Sequence, residues 1–81
     1  MRAFPLAINQ LPLPSRILLA LLRGDRTGCL NELNQVTSAV VTLDLKDEID
    51  NSGFSLLVLD RIAELQLEDA FRALPDHLEV S

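Results

Sequence analysis

Eighty-one residues leave room for one domain with a small core. A single cysteine, Cys29, excludes an intrachain disulfide and, with one histidine, a Cys/His zinc framework. A formal net charge of −5 argues against non-specific binding to nucleic acid or anionic lipid, both of which need concentrated positive charge.

The first fourteen residues carry Pro5, Pro12 and Pro14 and read as an extended, Pro-rich arm. Leu6, Ile8, Leu11 and Leu13 could dock it on the core or carry it across to a second subunit. The Asn9-Gln10 pair and the prolines break the apolar run after Arg2, against a signal peptide. Residues 15–81 form the rest, a single small α/β domain. Ser15–Gly24 reads as a helix capped by Ser15 and closed by Gly24, or as a short buried strand, because positions 17–22 are all apolar. Leucine and alanine favour the helix. A short helix follows over Thr27–Gln35, with Cys29, Leu30 and Leu33 on its apolar face.

Residues 39–45 alternate, with Val41, Leu43 and Leu45 on one side and Val40, Thr42 and Asp44 on the other. β-Branched residues dominate the first half, which predicts a strand. Lys46-Asp47-Glu48 follows as a loop. Asp50, Asn51 and Ser52 then stand as caps before a helix over Ser55–Leu65, which continues through Glu68–Leu74 with a Glu68–Arg72 pair. Pro75 ends it, and His77–Val80 alternates as a last short strand. The expected fold is thus α/β, with a short sheet and three or four helices.

A helix N-terminus bearing Asp50, Ser52 and Gly53 is suited to phosphate, bound or carried on Ser52. The stretch Val40–Leu45, Ile49–Gly53, Leu56-Leu57 resembles the core of STAS domains of the anti-sigma-factor-antagonist type. In phospho-switched members the serine before the glycine is modified. That resemblance implies a binding switch at Ser52, with Asp50 as the preceding acid. The loop at 46–48 is shorter than the family's, and only 28 residues follow Gly53. Gly53-Phe54-Ser55-Leu56 is also similar to the attachment site of acyl and peptidyl carrier proteins, with Ser55 as the modified residue. There Phe54 replaces the usual acid.

No catalytic constellation and no paired metal-ligand spacing stand out, so neither an enzyme nor a cofactor is expected. Eighteen leucines in so short a chain suggest apolar surface left over for a partner. The sequence reading is a regulatory or adaptor protein that binds another protein or a second copy, with Leu56, Leu59 and Phe71 as its candidate partner surface. A carrier protein and a small inhibitor of a host protein are the alternatives. No apolar run approaches the ~20 residues of a membrane span, and a cytoplasmic location is expected.

Overall fold

A computed structural model of the chain describes residues 10–75. Helix α1 runs over Leu13–Arg23, α2 over Arg26–Leu33, α3 over Ala39–Ser52, α4 over Ser55–Glu64 and α5 over Glu68–Arg72. No strand occurs among the described residues, so the fold is all-α and the expected α/β sheet is absent.

Helix α1 forms in full, and its four buried residues, Ile17, Leu18, Ala20 and Leu21, are the centre of the core. It starts two residues before Ser15, with Pro14 in its first turn, where a missing N–H is harmless. The end is the one expected: Gly24 takes φ 72°, so its own N–H reaches Leu21 O and the Asp25 N–H reaches Ala20 O. These two bonds make a Schellman closure. Asp25 then starts α2 as its N-cap, accepting a 3.0 Å bond from the Gly28 N–H. Cys29 and Leu33 of α2 meet α1, and the Arg16–Glu32 pair at 3.5 Å spans the two helices.

The predicted strand at 39–45 and the loop at 46–48 both lie inside α3. Ser38 caps that helix by accepting the Val41 N–H at 3.3 Å. A helical period then gathers Thr42, Leu45 and the half-buried Val41 and Ile49 on one side. Three of those residues pack on the core, and Thr42 ties its hydroxyl back to Ser38 O. The alternation at 39–45 is real but short, and a fourteen-residue amphipathic helix buries more than a strand with no neighbour among the described residues to pair with.

Helices α4 and α5 cover the predicted helical stretch but with a break. Gln66 sits at φ 58°, with Gln66 N–H to Ala63 O and Leu67 N–H to Ile62 O. This repeats the α1 closure with glutamine in glycine's place, and it buries Leu67 completely. Arg26 donates from Nε to Leu65 O at 2.7 Å, satisfying a carbonyl at the end of α4 from across the fold. The pair on α5 is Arg72–Asp69 at 2.8 Å and not Glu68–Arg72. Helix α1 is the hub: α2, α3 and α4 all pack on it, while α5 rests on α2. Residues 1–9 of the arm and the strand expected at His77–Val80 lie outside the described residues.

Candidate interaction surface

Position decides the fate of the Asp50, Ser52 and Gly53 cluster. These residues close α3 instead of opening the next helix. Gly53 is the left-handed C-terminal residue at φ 81°. The Ser52 hydroxyl donates to Ile49 O at 2.7 Å and accepts from the Phe54 N–H at 2.9 Å. It therefore satisfies a carbonyl at the negative end of the α3 dipole. The expectation that Ser52 stands at the start of a helix is corrected: it is the last residue of α3. Helix α4 begins only at Ser55, with Phe54 as a cap that gives no side-chain bond.

Helix α4 supplies the surface. Its inner side carries Val58, which is 1% exposed, and the half-buried Ile62 packed against the core. Arg61 lies on the same side, with Nη1 holding Glu64 at 3.3 Å. The outer side carries apolar residues as well, beside the exposed Asp60. Leu56 is 78% and Leu59 62% exposed, and Phe54, Leu57 and Ala63 are exposed beside them. Phe71, the third predicted member, is half-buried and packs on the core from α5, away from that face.

A second exposed apolar pair, Val40 and Leu43, lies on α3. Sequence reasoning set Leu43 on one side with Val41 and Leu45 because it read a strand. A helical reading of the same residues sets Val40, Leu43 and Asp47 at i, i+3 and i+7, on the side away from Leu45. Asp44, Asp47 and Glu48 of α3 face Pro12, Pro14 and Ser15 across an acidic groove of about 310 Å³. The Ser15 hydroxyl donates to Glu48 there at 3.2 Å.

Burial, then the charges of Asp25 and Glu32, push the Cys29 thiol up to about 11. Cys29 is thus protonated at neutral pH and closed off inside the core. The described residues hold no cluster of three or more His, Cys, Asp or Glu able to bind a metal ion. No helix among them is long and apolar enough to cross a membrane.

No family model, curated protein or solved structure matches the chain. The STAS resemblance rested on a strand, loop and helix over residues 40–57, and that stretch is instead one helix, a turn and the start of another.

Proposed function

We propose that the chain is a non-enzymatic adaptor or regulatory protein that binds another protein on the outer face of α4. The observation that carries this reading is the exposure of Leu56 and Leu59 on a helix whose other side is already buried. Large apolar side chains grouped on one exposed face mark contact surfaces more often than chance. The free, buried thiol of Cys29 suits a reducing compartment, so the cytoplasm is the proposed location.

A photo-crosslinking residue placed at 56 or 59 of the full chain, in extract of its own cells, tests the proposal. Adducts are expected from both positions and not from exposed Asn31 on α2. Equal labelling from all three, or none from 56 and 59, overturns it. The reading does not include a phosphate switch at Ser52, whose hydroxyl is engaged in closing α3.

One observation favours a second reading. Ser55 is the first residue of α4 in an all-helical fold, which suits the carrier-protein resemblance better than a sheet would. Incubation with a phosphopantetheinyl transferase, followed by mass spectrometry, decides it. No mass gain on Ser55 removes the carrier reading.

A further inference from the structure

Leu56, Leu59 and Ala63 are exposed and follow one another at a spacing of three and then four. That is the spacing of a coiled-coil seam, which one partner helix can straddle. Asp60 flanks this seam, four residues after Leu56, with which it shares a face of the helix. It is exposed, and the ion pairs Arg16–Glu32, Arg23–Asp25, Arg61–Glu64 and Arg72–Asp69 do not include it. Arg61, the one cation on α4, is already held by Glu64 at 3.3 Å. The seam is thus apolar along its middle and uncompensated negative along its edge.

Charge decides what fits it. A second copy brings the same leucines but also the same Asp60. Antiparallel pairing of two α4 helices sets flanking position against like flanking position, so the two carboxylates would meet. Each copy also brings a net charge of −5. Like charges across an interface suppress pairing, whereas opposite ones steer and fix it. We infer that the occupant of α4 is an amphipathic helix of a different protein, apolar at the same three-and-four spacing and flanked by lysine or arginine. This rests on the proposed function and narrows it to a chemical class of partner.

The probes are two synthetic peptides of roughly three heptads with leucine at a and d. One carries lysine at e and g, the other glutamate. Binding to the full chain is read by fluorescence anisotropy. The lysine peptide is expected to bind at least about tenfold tighter, with the margin narrowing as salt rises from about 0.01 to about 0.15 M. Asp60→Lys should reverse the preference, while Asp44→Lys on α3 should leave it in place. Leu59→Ser should abolish binding of both peptides with the helical circular dichroism retained. Equal affinities, no binding of either peptide, or a preference that ignores Asp60→Lys overturns the inference. So does a wild-type dimer in sedimentation equilibrium that Leu59→Ser dissociates, which would make the second copy the occupant. If the peptides fail while crosslinks from 56 and 59 persist, the basic-helix inference falls and the α4 surface stands. If the crosslinks fail too, both fall.

Discussion

On propensity alone, alanine at position 28 should improve α2, since glycine inside a helix is about 1 kcal/mol worse than alanine. The surroundings reverse that expectation. A Cβ on Gly28 would collide with the Asp25 carboxylate, the group that caps α2 by accepting the Gly28 N–H. The carboxylate can swing away, but only by giving up the cap, which is worth roughly 0.5–2 kcal/mol. Gly28→Ala is therefore expected to be neutral or destabilising by up to about 1 kcal/mol in urea denaturation. In an Asp25→Ala background, where no cap is left to displace, the same change should stabilise. A gain of similar size in both backgrounds would show that the cap does not oppose the alanine. At this scale a single atom outweighs a propensity, because the backbone amide it serves has no other partner in the first turn.

Helix α3 is where sequence and structure part, and the reason is local. Residues 39–45 satisfy a strand template and a helix template at once, since Val41 and Leu45 point inward under either period. The discriminating positions are Thr42 and Leu43. A strand buries Leu43 and exposes Thr42; the helix leaves Leu43 38% exposed and Thr42 2% exposed. Leu43→Lys should accordingly be tolerated to within about 1 kcal/mol, whereas Leu45→Ala should cost about 2–5 kcal/mol by opening a cavity beside α1. Denaturant titration of both variants checks this, and a severe loss from Leu43→Lys would restore the strand. Helix α1 stood open between helix and strand in the sequence; leucine, alanine and a terminal Gly24 favoured the helix, which is the form its packing takes. The cap at Ser38 was not read, because residues 39–45 were assigned the period of a strand. The same misreading inverted the Asp50-Asn51-Ser52-Gly53 turn. That residue set can open one helix or close another, and only the helix before it shows which. The Gln66 break between α4 and α5 had no sequence signal, because glycine or asparagine is the usual occupant of that conformation.

The described residues contribute a core of ten buried apolar residues, four of them from α1, and a small fold of this kind has little stability to spare. Against that, six large apolar side chains of the described residues are left exposed, four of them between positions 54 and 59. If the outer face of α4 served the fold, replacing its leucines would weaken the chain. If it serves a partner, the same replacements should leave stability alone and remove the contact. Leu56→Ser and Leu59→Ser together are expected to change the unfolding free energy by less than about 1 kcal/mol, the range of ordinary surface substitutions. Val58→Ser, one position away but fully buried, should cost several-fold more, because it places an unpaired hydroxyl in the core. Thermal and denaturant unfolding of the three chains reads the comparison directly. A double-serine variant as unstable as Val58→Ser would mean that α4 is anchored from both sides and has no face to offer. Equal stability with lost crosslinking would leave the exposed leucines no role in folding, and the contact surface as the reason they are there.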